Sequence, residues 1–388
     1  MTEVLPALSV LCLVILLMML ILRRWRQPYL VAYILAGLLL GPQVSGIFRE
    51  PAAIESLGEI GILLLMFLLG VEIEVPDNRS LLTKPVIAQL IKTVLSAAVS
   101  VSAGYFLHWQ PGNILLLTVL LIFNSTAVVT DLLRRNGELQ SSMGMIVLNM
   151  LLLQDVLAGP VFVAMHMTAG RRIEIVGVIF SIVCCGFLFL LLRAIRNRRF
   201  FGWGATKDLE RDHDLQVFLG ACLCLSFALV SNKIGLPASL GSFAAGLYLG
   251  RAKGFHWLGN ALRPFHVFFV ALFFVSIGLR LDVQYITSHW GIILTLTFGV
   301  LLVNSLLSAF VFRLMRYSWP VALRSGALLS QTGEFGLIAC TIGYHDGIVT
   351  EGLFKTCIAV TGLSLLLSTA WISILRRSIE AGHHLKMQ

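Results

Sequence analysis

The sequence predicts an all-α polytopic membrane protein with about 13 transmembrane helices, arranged as inverted repeats with two crossed discontinuous helices. Composition is the first observation, because the 388 residues are 57% hydrophobic and only 13% charged, unlike a soluble domain. The second is that stretches of about 20 apolar residues, each long enough to span a bilayer, recur along the chain. The third is internal similarity between its two halves.

The predicted spans end in polar or basic loops and are defined to within a few residues. Gly235, Pro237 and Gly241 interrupt the short ninth span, which leaves the count open by one. We treat residues 1–388 as one transmembrane domain, with repeat one over about 5–167, a linker helix over about 173–194 and repeat two over about 214–375. In chain order the spans are 5–22, 28–47, 55–74, 85–107, 113–133, 143–167, 173–194, 214–232, 236–250, 261–279, 286–312, 321–344 and 353–375.

The net charge of +9 is explained by membrane orientation rather than by nucleic-acid binding. With the N-terminus outside and the C-terminus inside, Lys92 lies within a span and 22 of the 29 Lys and Arg residues fall in cytoplasmic loops. This asymmetry follows the positive-inside rule and supports an odd number of spans. We expect a multi-pass protein of the bacterial inner membrane, with the lipid bilayer as partner. The six basic residues of the outer loops are Arg49, Arg171, Arg172, Lys233, Arg280 and Lys355.

Enzyme and cofactor chemistry find no support in the motifs. The seven cysteines all lie inside predicted spans without a metal-ligand spacing, and they read as small apolar packing residues. The chain has no Gly-rich phosphate loop, catalytic triad or HExxH motif. We therefore expect no enzyme activity and no cofactor. The start, MTEVLPALSV, lacks a basic segment and a cleavage site, so we expect the first span to be retained.

Two pairs of short motifs recur at an offset of about 208 residues. Ala36–Gly41 (AGLLLG) matches Ala245–Gly250 (AGLYLG), and Gly70–Val75 (GVEIEV) matches Gly278–Val283 (GLRLDV). Seven spans separate the copies, so the copies cross the membrane in opposite directions. Inverted repeats of this kind are typical of secondary transporters. The competing explanation is convergent packing of small residues, and the shared offset favours the repeat.

Asp155 is the most informative residue, because it interrupts an apolar stretch, 146–167, that is long enough to cross a bilayer. A carboxylate at that depth is costly, and the default interpretation is an ion or proton site. The preceding residue, Gln154, adds an amide oxygen that can coordinate a cation. The alternative is a carboxylate that only hydrogen-bonds a neighbouring helix.

The repeat predicts where the rest of the site lies. The fifth span contains Asn124-Ser125-Thr126, and the position 208 residues later falls in Gln331-Thr332-Gly333-Glu334 of the twelfth span. Matched polar breaks in two repeats indicate discontinuous helices around a midplane binding site. Unwound backbone there exposes carbonyls and helix dipole ends to a cation.

Four further residues are candidates for a supporting role. Glu334 is either a second carboxylate for ions or the partner of a half-helix N-terminus, and the second role is favoured slightly. Thr332 and Gln331 lie in the same break. Lys92, about two turns into the fourth span, either extends toward the interface or neutralises a buried carboxylate.

Together the motifs resemble the monovalent cation:proton antiporter 2 family, most closely its Kef-type potassium/proton branch. The resemblance covers nearly the whole chain, and seven motifs follow one another in the family's order. They are 32–37 with Gly41-Pro42, 59–61 with 70–72, Asn124-Ser125-Thr126-Ala127, Gln154-Asp155, 241–246, 273–278 and 330–335.

The resemblance implies antiport of a monovalent cation against a proton at Asp155, with Gln154, Thr126, Ser125 and Asn124 around the ion. It also implies a homodimer built on spans one to three and eight to ten, and a mobile core of spans four to six and eleven to thirteen that moves as an elevator. We expect potassium in preference to sodium. The alternatives are a sodium/proton antiporter, or a channel-like or sensor protein that retains the fold.

Two features set expectations for stoichiometry and control. Electrogenic relatives carry a carboxylate where this chain has Gln154, and a basic partner on the tenth span where this chain has none in the apolar part; we therefore expect electroneutral exchange. Asn124 replaces the Ser usual in the family. No soluble regulatory domain follows the last span, and we expect any regulator to be a separate cytoplasmic subunit at the basic 193–211 loop.

Overall fold

A computed structural model describes residues 4–24, 29–48, 52–72, 80–168, 213–233, 238–250 and 256–384. The predicted seventh span, 173–194, and the basic loop that follows it lie outside the described residues. The described part of the chain forms helices and their connections, without strands.

Fifteen helices are present in the described residues. They are α1 (Val4–Arg24), α2 (Tyr29–Leu40), α3 (Ala52–Glu72), α4 (Ser80–Phe106), α5 (Pro111–Ile122), α6 (Thr126–Arg135), α7 (Ser142–Thr168), α8 (His213–Lys233), α9 (Ala238–Leu249), α10 (His256–Leu279), α11 (Val283–Ser288), α12 (Trp290–Leu314), α13 (Trp319–Leu328), α14 (Glu334–His345) and α15 (Glu351–His384).

These helices account for every predicted span except the seventh. Six helical segments of the described residues, among them Pro111–Arg135 taken as one, are long and apolar enough to cross a membrane, and five more are apolar but shorter. The second span is shorter than the predicted 28–47, because α2 ends at Leu40, just before Gly41 and Pro42. The helical conformation is disfavoured for the residue that precedes a proline. The all-α membrane fold is confirmed, and the count of 13 stays a prediction.

The fifth and twelfth spans are broken at the predicted polar positions. The fifth is divided into α5 and α6, and the twelfth into α13 and α14. The eleventh span, 286–312, also differs from prediction, because the single turn α11 precedes the long helix α12. Asp282 caps α11, where its carboxylate accepts a hydrogen bond from Tyr285 N at 2.8 Å.

The helices pack as two groups. We call α1–α3 and α8–α10 the panel, in which α10 packs on α2 and α3, and α9 packs on α3 and α8. We call α4–α7 and α12–α15 the core bundle, in which α4 packs on α5 and α7, and α12 packs on α13 and α15. Close backbone approaches between the two groups are few, chiefly between α7 and α9 and between α2 and α15, whereas apolar side chains of both groups pack in one cluster. The panel comprises spans one to three and eight to ten, and the core bundle spans four to six and eleven to thirteen; their dimer and transport roles stay predictions.

Glycine allows the panel helices to cross at backbone distance. A Cβ atom built on Gly37 or Gly278 would lie under 3.0 Å from the backbone of the facing helix, so α2 and α10 touch directly. Gly246 and Gly70 bring α9 and α3 together in the same way. These four glycines belong to the two repeated motifs. The sequence repeat thus corresponds to a repeated helix crossing, in keeping with the role of small residues between membrane helices.

The connector α11 leads from the panel to the core bundle and is attached to the latter. The Tyr285 hydroxyl donates to the Gly352 carbonyl at 2.8 Å and lies 2.9 Å from Thr356 Oγ1 of α15. The side chain of Leu281 packs against the backbone at Gly362. This end of α11 is therefore held by α15.

Candidate functional site

Two interrupted helices meet at the centre of the core bundle. The chain between α5 and α6 is extended, as is the chain before α14, and Gly333 N donates to the Phe123 carbonyl at 3.2 Å across the contact. A Cβ atom on Gly333 would lie 2.6 Å from the carbonyl carbon of Asn124. Only glycine permits this approach, which we call the crossing.

Asn124 holds the crossing together with its side chain. Its Nδ2 donates to the carbonyls of Leu329 at 2.9 Å and Gln331 at 2.8 Å, two of the residues that follow the end of α13. Its Oδ1 accepts from Lys92 Nζ and from Gln154 Nε2, the latter at 3.3 Å. All of its side-chain polar atoms are bound to protein, so Asn124 is a connection between the two broken spans.

Gln154 is engaged in the same network. Its Oε1 accepts from the backbone N of Asn124 at 2.8 Å, and its Nε2 donates to Gln89 Oε1 at 3.0 Å. Gln154 was predicted to lie at the ion, and its partner Gln89, which is buried on α4, was not among the predicted site residues. The three-residue spacing between Gln89 and Lys92 puts both on one face of α4, which is the signal that could have found it.

Asp155 lies beside the start of α6. It is 2% exposed, and its Oδ1 accepts from the Thr126 hydroxyl at 3.4 Å. Ser125 is the N-cap of α6 and accepts from Val128 N at 3.4 Å, as N-cap residues do. The second oxygen of Asp155 and the hydroxyl oxygens of Thr126 and Ser125 are of the chemical type that binds monovalent cations.

Glu334 brings a second carboxylate to the crossing. It is the first residue of α14 and lies within electrostatic range of Asp155. Its Oε2 is shielded from solvent and has no hydrogen-bond partner in the described residues. Thr332 and Gln331 join the crossing, since the Thr332 hydroxyl donates to the Leu120 carbonyl at 3.2 Å and the Gln331 carbonyl accepts from Asn124 Nδ2 at 2.8 Å.

The charges at the crossing match the helix dipoles. The starts of α6 and α14 carry partial positive charge, and the carboxylates of Asp155 and Glu334 lie beside them. The ends of α5 and α13 carry partial negative charge, and Lys92, fully buried, reaches this side through Asn124. Lys92 therefore neither extends toward the interface nor pairs with a carboxylate in this structure.

The location of Lys92 bears on the predicted stoichiometry. The tenth span, on which electrogenic relatives were expected to carry a basic partner of Asp155, forms α10 and packs on α2 and α3 of the panel. A basic residue on that helix would not adjoin the crossing. Among the described residues, the basic side chain that reaches the crossing is Lys92 of α4.

Aromatic rings close one side of the crossing. Phe123, Phe162 and Phe335 lie with ring centroids 5.5–6.3 Å apart and pack with the apolar side chains of α5, α14 and α15. By the predicted orientation this is the outer side. Such a cluster excludes water from the path between Asp155 and the outer surface.

Comparison with known families identifies this arrangement. Residues 10–377 match the family described as sodium/hydrogen exchanger, transmembrane. The solved structure of the sodium/proton antiporter MjNhaP1 from Methanocaldococcus jannaschii shares the fold, with a TM-score of 0.65 over 97% of this chain and 99% of that chain, at 14% sequence identity.

Curated relatives are transporters. The iron transporter MagA of Paramagnetospirillum magneticum is 30% identical over 91% of this chain and 81% of its own length. The K(+) efflux antiporter 5 of Arabidopsis thaliana is 24% identical over 92% of this chain. A glutathione-regulated potassium-efflux system protein of Haemophilus influenzae is 24% identical over 90%. The chain spans 64% and 57% of these last two proteins.

Proposed function

Since the chain belongs to the sodium/hydrogen exchanger family of membrane antiporters, we propose that it exchanges a monovalent cation for a proton at Asp155. The carrying observation is a buried carboxylate placed between a hydroxyl group and the start of a half-helix. A proton and a cation compete for such a group, because burial disfavours a bare carboxylate. Like its relatives, the chain is a transporter and not an enzyme.

The proposed ligands are fewer than the sequence suggested. Asp155, Thr126 and Ser125 supply oxygens, and Glu334 adds a carboxylate within electrostatic range. Asn124 and Gln154 position these groups by fixing the backbone of the crossing. Potassium is the preferred cation, and two of the relatives named above are potassium-efflux proteins. Sodium satisfies the same oxygen ligands.

We further propose that the exchange is electroneutral, with one cation moving against one proton. Gln154 stands where electrogenic relatives carry a carboxylate, so Asp155 alone alternates between its proton and the cation. Glu334 then keeps a constant charge state beside α14. A strongly voltage-dependent flux would overturn this stoichiometry while leaving the antiport itself intact.

The proposed motion is an elevator displacement of the core bundle against the panel. This division is supported by the few close backbone approaches between the two groups, set against the close glycine crossings within the panel; the contact between the groups is made mainly by apolar side chains. The panel is also the proposed surface of a homodimer. A regulator, if one acts on this chain, is proposed to be a separate cytoplasmic subunit that binds the 193–211 loop, outside the described residues.

The deciding experiment uses purified protein in liposomes that contain a pH-sensitive dye and carry an imposed pH gradient. Potassium, sodium, lithium and rubidium are added in turn, and Asp155→Asn liposomes serve as the control. We expect saturable dequenching with potassium and sodium, which Asp155→Asn lacks. Conductance in single-channel steps would favour a channel, and the absence of any cation response would favour a sensor.

Iron is included as a further cation because MagA is named an iron transporter. Among the described residues, no group of three or more His, Cys, Asp or Glu side chains could hold a metal ion. The case for iron therefore rests on the name of this relative and not on a metal site among the described residues. Ferrous ion that dissipates the pH gradient in wild type but not in Asp155→Asn would move the proposal to that cargo.

A further inference from the structure

A second polar site lies on the opposite side of the crossing from the phenylalanine rings. A cavity of about 280 Å³ opens between the end of α6, the turn before α7, α13 and the last turns of α15. Its polar lining comes from three charged and three neutral residues. They are Glu138, Arg324, Arg376, Asn136, Ser141 and Ser325. By the predicted orientation this side is cytoplasmic.

The charges of this cavity are held in place. Arg324 Nη2 lies 2.8 Å from Glu138 Oε1, and this ion pair joins α13 to the turn between α6 and α7. Arg376 of α15 is a second guanidinium on the lining. One carboxylate and two guanidinium groups leave a net positive charge.

A buried hydroxyl group points to a ligand. Ser325 is 1% exposed, lines the cavity, and its Oγ has no hydrogen-bond partner in the described residues. Buried polar atoms are nearly always satisfied, so each exception requires an explanation. The first turn of α7, at Met143 and Gly144, also lines the cavity and contributes the positive end of a helix dipole.

We propose that this cavity binds a phosphate group, carried either by a small soluble compound or by a lipid headgroup. Guanidinium groups bind phosphate oxygens in a bidentate fashion, and the Ser325 hydroxyl donates to a further oxygen. The volume is close to the lower limit of about 300 Å³ for small-molecule sites, which fits a phosphate with a small substituent.

The position of the cavity gives the bound group a consequence for the crossing. Leu328 lines the cavity, and the carbonyl of the next residue, Leu329, accepts a hydrogen bond from Asn124. A phosphate held by Arg324 and Arg376 joins α13, α15 and the α6–α7 turn. Its occupancy therefore stabilises the half-helices that meet at Asn124.

The test measures thermal unfolding of the purified full chain by tryptophan fluorescence at constant ionic strength. One arm titrates inorganic phosphate into lipid-free detergent, with chloride as the matched salt. The second compares vesicles of phosphatidylglycerol with vesicles of phosphatidylcholine. Saturable stabilisation by phosphate identifies a soluble source, and stabilisation by phosphatidylglycerol alone identifies a lipid. Stabilisation in neither arm overturns the proposal.

Variants distinguish the cavity from general charge effects. Arg324→Gln combined with Arg376→Gln should weaken phosphate or lipid binding at least about tenfold, because charged hydrogen bonds are lost. Arg377→Gln, which removes an exposed neighbouring charge outside the lining, should leave binding unchanged. An equal loss in Arg377→Gln would show nonspecific attraction and overturn the site.

Glu138→Gln provides a second, independent variant that keeps both arginines. It removes the carboxylate that competes for Arg324, so phosphate should bind more tightly, by about threefold or more. If the ion pair served stability alone, Glu138→Gln would lower the unfolding temperature and leave the phosphate response unchanged or weaker, and that result would overturn the proposal.

Discussion

The panel crossings and the core crossing are built from corresponding parts of the two halves of the chain, yet they differ in what holds them. In the panel, Gly37 meets Gly278 and Gly70 meets Gly246, so both contacts are backbone on backbone. In the core, Asn124 corresponds by the same offset to Thr332, and Thr126 corresponds to Glu334. The two halves therefore carry the same residue, glycine, at the panel crossings, and different side chains at the core crossing.

The hydrogen bonds of the core retain the outline of the repeat. The backbone N of Asn124 donates to the Gln154 side chain of α7, and the backbone N of Thr332 donates to the Ser364 side chain of α15. The residue 208 positions after Asp155, however, is Leu363. The carboxylate of Asp155 therefore has no counterpart in the second half, although the backbone hydrogen bonds of the two halves correspond.

This difference follows from the two kinds of contact. A glycine crossing accepts no other side chain, so each half must keep its glycine for the helices to meet. The core crossing requires one glycine, Gly333, and otherwise requires that its backbone groups be satisfied, which several side chains can do. Charged residues such as Asp155, Lys92 and Glu334 can therefore lie beside it.

The largest effect is expected from removing the carboxylate of Asp155, which has no counterpart in the second half. Asp155→Asn should reduce cation-driven proton flux in liposomes to that of empty vesicles, because an amide cannot alternate between a proton and a cation. The protein should still elute as a single folded species. Asp131→Asn, which alters the 2.7 Å ion pair with Arg135 at the end of α6, is the matched control and should transport. Flux in Asp155→Asn would refute the site.

Disrupting a glycine crossing of the panel should lower the stability of the fold more than the transport rate of the folded protein. Gly246→Val places side-chain atoms against the backbone of Phe67, and we expect a loss of about 3 kcal/mol or more in unfolding free energy. Flux per folded molecule should change less than the folded yield. Gly299→Ala is the control, because nothing lies within 4 Å of its Cβ position, and it should be neutral or stabilising. Equal stability of both variants would contradict the close crossing.

The next effect concerns the balance of charge at the core crossing. Lys92→Gln removes the buried cation next to Asn124, and we expect it to lower unfolding free energy by about 1–3 kcal/mol and to slow flux. Lys84→Gln, on the same helix near its start, should do neither. Wild-type stability in Lys92→Gln would show that the lysine does not balance the half-helix ends.

Asn124→Ser would make the crossing resemble that of the related family. Serine cannot reach both Leu329 and Gln331, so one carbonyl loses its donor, at a cost of about 1–2 kcal/mol. Thermal unfolding measures this loss. A more stable protein would mean that the amide strains the crossing instead of joining it.

The smallest effect should come from Thr126→Val, which keeps the shape and removes the hydroxyl group. Its hydrogen bond to Asp155 is long, so we expect a two- to tenfold rise in the cation concentration for half-maximal flux, equivalent to about 0.5–1.5 kcal/mol. The maximal rate should be nearly unchanged. Thr118→Val, on α5, is the control, and an equal shift there would deny Thr126 a part in binding.

Much of the fold could be predicted because membrane spans leave strong local signals. Apolar length predicted the helices, and polar residues at a fixed offset predicted both breaks. The contacts of Asn124 and Gln154 could not be predicted, because their partners lie on other spans, 30 to 207 residues away in the sequence. Resemblance placed both at the ion. In the structure, the side chain of Asn124 binds Leu329, Gln331, Lys92 and Gln154, and that of Gln154 binds Asn124 and Gln89.

Two other features lay beyond the sequence for the same reason. Arg324 and Glu138 are separated by 186 residues, and no local pattern joins them. The basic partner of Asp155 was sought on the tenth span, which the family resemblance assigns to the panel, whereas the buried lysine that reaches the crossing lies on α4. Contacts between distant spans are set by tertiary structure, and composition carries no trace of them.

The attachment of α11 to α15 limits how far the core bundle can be displaced from the panel at this connection. Helix α10 ends at Leu279 in the panel, and α11, tied to α15 through Tyr285, begins at Val283. Four residue steps of fully extended chain reach at most about 14 Å. In the proposed elevator motion, this short connection limits how far the core bundle can move on that side while both ends stay attached, and a larger displacement requires helix to unwind.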